Sequence, residues 1–354
     1  MIQVQDPQNR AAWMTEPKKA TLDIKSTPYT PPGPGQMIIR NSALGINPID
    51  WLKQMLGDGI LGYVKYPIVL GEDIAGTVTA VGEGVTRFKV GDRVLAVGGA
   101  ISNNDATQGG FQLYTRVNQS FTTPIPDYIT FEQACALPLA LLTASQGLFA
   151  KNQLNLDQPT VPARPRPDDV VIIAAGSSAV GSSAIQLAVS AGYQVISTSS
   201  PKNFDYVKAL GASQVFDYKS STLAEDILAA VKGRPLSGCY SIGNGTADIF
   251  ASVIAAHAQD GSAPTSKRIA LAEGKHSIEK DNSAGVEINF IINDISPEGP
   301  ARHVFEQYLP AALAQRQFVP KPEPEVVGHG LEKLQDAFMI HKQGVSAKKI
   351  VITI

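Results

Sequence analysis

Apolar runs rich in β-branched residues alternate, through the middle of the chain, with stretches of helical spacing. Val170–Ala174 carries no polar side chain, the pattern of a strand covered on both faces. Small residues follow at Gly176, Ser177, Ser178, Ala179 and Gly181, and SSAIQLAVSAG then repeats apolar positions at helical spacing up to a stop at Gly192. Tyr193–Thr198 predicts a second strand. The alternation continues with helices predicted over Phe204–Leu210, Leu223–Lys232 and Ala247–Ala258, and strands over Gln214–Asp217, Gly238–Ile242 and Arg268–Leu271. Strands and helices in strict alternation wind a parallel sheet, so this part of the chain is expected to be α/β.

The flanking regions read differently. Residues 1–130 are mainly β, with strands at Met37–Arg40 and Ala75–Val81, a loop at Pro31, Pro32 and Pro34, and a tight turn at Val90-Gly91-Asp92-Arg93. Phe131–Lys151 is helical with a break at Pro138. Asn155–Asp169 holds Pro159, Pro162, Pro165 and Pro167 and predicts an extended surface excursion. After Pro320 the character changes again, and the terminal strand Lys349–Ile354 is expected to return to the first domain. That domain is then discontinuous, 1–130 with 320–354, around a second domain of 131–319.

Composition narrows the classes. A chain of 354 residues accommodates two domains with sizeable cores, and 44% hydrophobic with 18% charged residues fits a globular enzyme. A net charge of −2 argues against nucleic acid or an anionic membrane as partner. Cys135 and Cys239 are too few for a disulfide framework or a four-thiolate zinc site and suit a reducing interior. The opening MIQVQDPQNRAAWM lacks the pattern of a signal peptide, and no run approaches the ~18 apolar residues of a membrane span. A cytoplasmic location is expected.

The chemistry centres on the strand–turn–helix–strand at 170–198. Its small residues let backbone approach a pyrophosphate, and the helix N-terminus supplies N–H donors and a positive dipole end. Ser178 and Ala179 stand where the strict G-x-G-x-x-G often has glycine, so an ordinary Gly-rich turn is the plainer alternative. A site for NAD usually ends its second strand on a carboxylate that binds the ribose hydroxyls. Here Ser199, Ser200, Pro201, Lys202 and Asn203 follow instead. Two hydroxyls and an ammonium suit a 2′-phosphate with no acid to repel it, which points to NADPH, although Lys202 alone reads equally as a solvated surface lysine.

Several segments, in order, resemble a known family: GINPIDW at 45–51, VLGEDIAGTVTAVGEGV at 69–85, FKVGDRV at 88–94, GGFQLYT at 109–115, AAGSSAVGSSAIQLA at 174–188, ALGASQVFDYKS at 209–220 and KQGVSAKKIVI at 342–352. They are similar to the medium-chain dehydrogenase/reductase superfamily, on its zinc-free quinone oxidoreductase and enoyl reductase side. The proline-rich insertion and SSPKNFDYVKALGA resemble the fungal group of ToxD-like proteins and trans-acting enoyl reductases of polyketide synthases. The resemblance implies a GroES-like, mainly β catalytic domain holding both termini, a Rossmann domain with a doubly wound parallel sheet, and a cleft between them. It implies Gly176, Ser177, Ser178, Ala179, Val180 and Gly181 at the pyrophosphate, with Ser199, Ser200, Lys202 and Asn203 at the 2′-phosphate and Tyr218 near the adenosine phosphate. Pro48, Asp50 and Trp51 approach the nicotinamide, and Thr143 offers a hydroxyl near its ribose. Asp50 and Thr143 are the catalytic candidates; their plainer roles are a helix cap and a helix-interior threonine. Leu271, Ala272, Ser346 and Ala347 are carried over as contacts at the nicotinamide end. The segment 272–300, with Gly274, Gly285 and Asn293, is expected on the substrate side.

The departures from the family are as informative. Zinc alcohol dehydrogenases resembling this chain place cysteine early, Gly-His-Glu in the first domain and a four-cysteine lobe; here Asn47-Pro48-Ile49-Asp50 and Gly71-Glu72-Asp73 stand at the first two places, and no cysteine lies between Gly98 and Gly109. Glu72 and Asp73 could in principle bind zinc, but without thiolate or imidazole at that spacing they are expected to be a hydrogen-bonded polar pair. No metal is expected. Oxidising an unactivated alcohol needs a group that stabilises an alkoxide. Hydride addition to a C=C bond conjugated with a carbonyl asks less, because the substrate's own oxygen takes the charge. The expectation is an enone or enoyl reductase of fungal secondary metabolism, acting on a small-molecule or carrier-bound acyl substrate, with a polyketide synthase as the partner in the second case. The alternatives are a quinone oxidoreductase on small free substrates and a non-catalytic NADPH-binding protein. None of His257, His276, His303, His329 and His341 has a partner at metal or nucleophile spacing, and Tyr63, Tyr66 and Tyr114 read as structural.

Overall fold

A computed structural model of the chain describes residues 7–261, 263–273, 275–276, 285–296 and 298–354. They form two compact units: the chain up to Leu139 together with Leu313–Ile354, and Ala140–Ala312.

The first unit opens with β1 (Asn9–Met14), β2 (Asp23–Thr27) and β3 (Gln36–Gly45), then α1 (Pro48–Leu56), β4 (Ile68–Val69), β5 (Asp73–Val81), β6 (Arg93–Val97), β7 (Tyr114–Asn118) and β8 (Thr122–Pro124). The predicted strands at 37–40 and 75–81 are the middles of β3 and β5, which run further because the ladder between them continues to Gly45 opposite Asp73. The chain enters the second unit along α2 (Pro138–Phe149), after the break expected at Pro138.

The second unit alternates as its sequence does: β9 (Arg166–Ile173), α3 (Ala179–Ser190), β10 (Tyr193–Ser199), α4 (Phe204–Ala209), β11 (Ala212–Asp217), α5 (Leu223–Val231), β12 (Leu236–Ile242), α6 (Thr246–Asp260), β13 (Arg268–Glu273) and β14 (Glu287–Phe290). The strands pair in the order β11-β10-β9-β12-β13-β14, every pair parallel. Val170, Ile172, Ile196 and Ile269 share one buried cluster with Phe250 and Ile254 of α6, and Val171 and Ile173 are buried as well, which is why the core of β9 reads as an unbroken apolar run. The strand predicted at 170–174 begins earlier, at Arg166. Its partner Tyr193 faces Arg166 while the next residue, Gln194, faces Val170, so a bulge passes over Pro167 and the missing N–H costs the ladder nothing. The excursion before it is exposed at Pro162–Pro165, but Leu154, Leu156 and Pro159 are buried and anchor its start.

The chain then returns through β15 (Glu323–His329), α7 (Leu334–Lys342) and β16 (Lys348–Thr353). Strand β16 pairs antiparallel with β3, so the terminal strand completes the first unit's sheet β15-β16-β3-β5-β6-β8, with β7 also on β3. Met14, Ile39, Ile74, Phe111, Phe338 and Ile352 belong to its core. No helix among the described residues is long and apolar enough to cross a membrane.

Candidate functional site

In the second unit the chain winds from β9 to β10 on one side of the sheet, and later to β12 on the other. The C-terminal ends of β9 and β12 therefore border a topological switch point, where open α/β sheets bind their ligands. The turn after β9 is tied to β10 by Gly176 N–H donating to Thr198 O at 2.8 Å and Ala175 N–H donating to Thr198 Oγ1 at 3.2 Å. Ser178 caps α3, its hydroxyl accepting from Gly181 N–H at 3.0 Å. A Cβ on Gly181 would lie 2.2 Å from Ala175 O, so turn and helix close up only around glycine. The first-turn amides of Ala179 and Val180 have no intrahelical acceptor and sit at the positive end of a 12-residue helix.

The end of β10 adds a hydroxyl cluster. Ser199 Oγ donates to Ser177 Oγ at 3.1 Å and Asn203 Nδ2 donates to the same oxygen at 3.2 Å, leaving the Ser177 proton for an acceptor outside the cluster. Ser200 is half-buried and Lys202 exposed. Asp217, opposite Ser199 in the ladder, accepts the N–H of Lys219 at 3.0 Å and is engaged in the turn after β11. Tyr218 follows it, 50% exposed, with the Lys219 ammonium 5.6 Å from its ring centre. Leu271 is buried near the end of β13, and Ala272 is half-buried beside it. One edge of the sheet thus brings together 176–181, 199–203 and 218. These groups fit a phosphorylated dinucleotide: close backbone, free amides, hydroxyls, and an ammonium.

Thr143, on α2, is half-buried, and Asn293 Nδ2 donates to its hydroxyl at 3.1 Å. Its carbonyl accepts from Tyr240 OH at 2.9 Å. Tyr240 is wholly buried, and burial pushes its phenol well up, so it remains a neutral donor. The sequence links Thr143 to neither residue, for they lie in different turns of the winding. Gly274 lies outside the described residues; Gly285 is exposed.

In the first unit, Pro48 occupies the first turn of α1, and Asp50 Oδ2 accepts the N–H of the N-cap residue Asn47 at 2.8 Å. Asp50 is 0% exposed and its Oδ1 has no hydrogen-bond partner. Burial, reinforced by the nearby charge of Asp73 and opposed by the Asn47 N–H, pushes its carboxyl up to about 7. Asp73 is fully served. Its Oδ1 accepts from Leu139 N–H at 2.6 Å, and its Oδ2 from Asn47 Nδ2 at 2.8 Å and from the Lys349 ammonium at 2.5 Å. Lys349 also donates to Asn47 Oδ1 at 2.7 Å. Gly45 makes room, since a Cβ there would lie 2.8 Å from Lys349 Cε and 2.9 Å from Asp73 Cβ. Glu72 does not share the bonding expected of the pair: its carboxylate has no hydrogen-bond partner among the described residues, and burial, then the charges of Asp50 and Asp73, hold it well above the usual range. Among the described residues no three His, Cys, Asp or Glu side chains are placed to hold a metal ion.

Trp51, half-buried, donates its indole N–H to His341 Nδ1 at 3.0 Å. Burial and the Lys349 charge lower that imidazole to about 4, so it is a neutral acceptor at pH 7. Ser346 is exposed and Ala347, at φ +52°, turns the chain into β16. The sequence names Asn47 only as part of a motif and His341 only as a histidine without a partner, and it singles out none of Lys53, Tyr240 and Lys349. Of the last three, Lys349 left a signal, a charged residue near the head of a largely apolar strand.

Residues 33–127 match the alcohol dehydrogenase GroES-like domain. The chain is 44% identical to the dehydrogenase pigH of Monascus ruber, over 98% of this chain and 100% of that one. It is 34% identical to the trans-enoyl reductase himH of Aspergillus japonicus, over 98% and 97%. Among solved structures, a mycobacterial protein in complex with NADPH superposes with a TM-score of 0.68 at 22% identity, covering 98% of this chain and 100% of that one. A GroES-like β unit and a doubly wound Rossmann sheet define an oxidoreductase of the alcohol dehydrogenase type. The chain belongs to the medium-chain dehydrogenase/reductase family, among fungal dehydrogenases and trans-enoyl reductases.

Proposed function

We propose that the protein is an NADPH-dependent enoyl or enone reductase that works without a metal, on an acyl chain presented by a polyketide synthase. The observation that carries the cofactor is the end of β10, where the Ser177–Ser199–Asn203 hydroxyl cluster and Lys202 stand with no free carboxylate at the strand end. The first-turn amides of α3 suit the pyrophosphate, with Tyr218 at the adenosine side. The trans-enoyl reductases among its relatives support the reaction. Its metal-free form is supported by the residues at the places of the cysteine and the Gly-His-Glu motif, Asn47 and Glu72, which offer neither thiolate nor imidazole.

NADPH, when bound, supplies the hydride for the β carbon. The substrate carbonyl takes the developing charge as an enolate, and water protonates the α carbon, so the chain's residues need only orient the reactants. Thr143, steadied by Asn293, offers its hydroxyl to the nicotinamide ribose. Leu271 and Ala272, in the same unit, give it backbone contacts. Asp50 has no exposed surface and is a positioning residue: it secures the start of α1, where Pro48 and Trp51 sit. Two buried free thiols agree with a reducing, cytoplasmic setting.

Nicotinamide absorbance followed with a panel of α,β-unsaturated thioesters, enones and quinones tests the reading. The expected result is NADPH consumption with an enoyl thioester, deuterium from labelled cofactor appearing at the β carbon. In Lys202→Ala, KM for NADPH rises about tenfold while that for NADH is unchanged, the effect of one lost charge-assisted contact worth about 1.4 kcal/mol. Turnover of quinones alone identifies the small-substrate oxidoreductase, and tight NADPH binding without consumption identifies a non-catalytic nucleotide binder.

A further inference from the structure

A groove of about 290 Å³ lies on the first unit between α1, α7 and the Lys18–Ala20 segment. Its floor is held by two cross-helix pairs: the amides of Gln54 and Gln335 exchange hydrogen bonds of 3.0 and 3.1 Å, and Trp51 meets His341 at 3.0 Å. Its walls carry Met55 and Met339, 43% and 52% exposed, which are flexible and polarizable enough to mould to an apolar partner. Its rim is basic. Lys18, Lys19 and Lys342 line it, with no carboxylate among the lining residues, although the chain as a whole is net negative. Lys19 is partly neutralised by Asp23 at 3.4 Å and Glu16 at 3.8 Å. Lys18 and Lys342 make no ion pair among the described residues; the Lys342 ammonium rests on Met55 Sδ at 3.4 Å.

We propose that this groove docks an acidic, amphipathic helix of the carrier domain that delivers the acyl substrate. The proposal rests on the carrier-bound reading above. The groove is too open to enclose a small molecule, which favours a protein occupant. Exposed methionines beside lysines from separate segments match a helix with one apolar face and acidic flanks, and long-range attraction speeds such an encounter. No sequence cluster announces it, because the three lysines come from opposite ends of the chain.

The test uses a fluorescently labelled holo acyl carrier domain from a reducing polyketide synthase, titrated onto the full-length protein at low and high salt, and onto Lys18→Glu/Lys342→Glu. The expected result is binding that weakens with salt and at least tenfold on charge reversal. In turnover, KM for an enoyl chain on that carrier rises at least tenfold in the variant. KM for the same chain on N-acetylcysteamine stays unchanged, which also shows that the variant is folded. Carrier binding indifferent to charge reversal overturns the proposal. So does an equal loss of affinity for a coenzyme A thioester, which makes the groove a phosphate site, or a dimer that sedimentation shows only for the unsubstituted protein, which makes it a self-interface. If the protein reduces neither thioester, the enoyl reductase reading fails, while the titration still decides the docking.

Discussion

Asp50 and Lys349 show how far single residues in the buried cluster depend on one another. In the unfolded chain the Asp50 carboxyl ionises near 3.8, and in the folded protein near about 7. Between those values the folded state keeps a proton the unfolded chain has released, so this residue's contribution to stability falls as pH rises through that window and levels off above it. Asp50→Asn keeps an acceptor for the Asn47 N–H and removes the titration. Denaturation measured at pH 5 and pH 8 is expected to show the wild type losing roughly 2–4 kcal/mol relative to the variant. Lys349→Met works in the opposite sense, because it strands the Asp73 charge at 0% exposure. A destabilisation of about 3–5 kcal/mol is expected in urea titration, and Asp73→Asn in the same chain should recover part of it, the double-mutant cycle giving the coupling. Of this cluster Asp50, Glu72 and Asp73 were legible from their motifs. Lys349 was visible only as an oddity at the head of a strand, since nothing local says which carboxylate it meets.

At the scale of elements, the turn after α1 depends on a lysine inside the fold. Lys53 is wholly buried, and its ammonium donates to the carbonyls of Gly57, Ile60 and Leu61 at 3.1, 3.1 and 3.0 Å. Lys53→Met leaves those carbonyls short of a donor. Hydrogen exchange in 57–64 should accelerate well beyond that in β9, and global stability should fall by roughly 2–4 kcal/mol. The helices and strands from β9 to β13 were legible because each is one periodic run between turn residues, whereas β14 lies in a stretch read only as the substrate side. The early start of β9 was not, since a proline inside a central strand is tolerated only where a bulge lifts it out of the ladder, and bulges arise from pairing.

For the molecule as a whole, the dinucleotide reading makes a simple demand. A ligand that binds only the folded state at a hundred times its Kd stabilises by about 2.7 kcal/mol, so NADPH should raise the apparent Tm by several degrees and NADH at equal concentration by less. Thermal denaturation with each cofactor measures this, and equal shifts would remove the preference assigned to Lys202 and its neighbours. The alternation that winds a parallel sheet and the glycine-rich turn are written in the sequence alone, because side-chain periodicity and backbone freedom act over a few residues. Only the tertiary structure decided that Lys349 meets Asn47, 302 positions away, that Asn293 holds Thr143, and that Lys18 and Lys342 line one groove. Such meetings are set by strand register and helix packing, which bring distant residues together through contacts that no local pattern encodes.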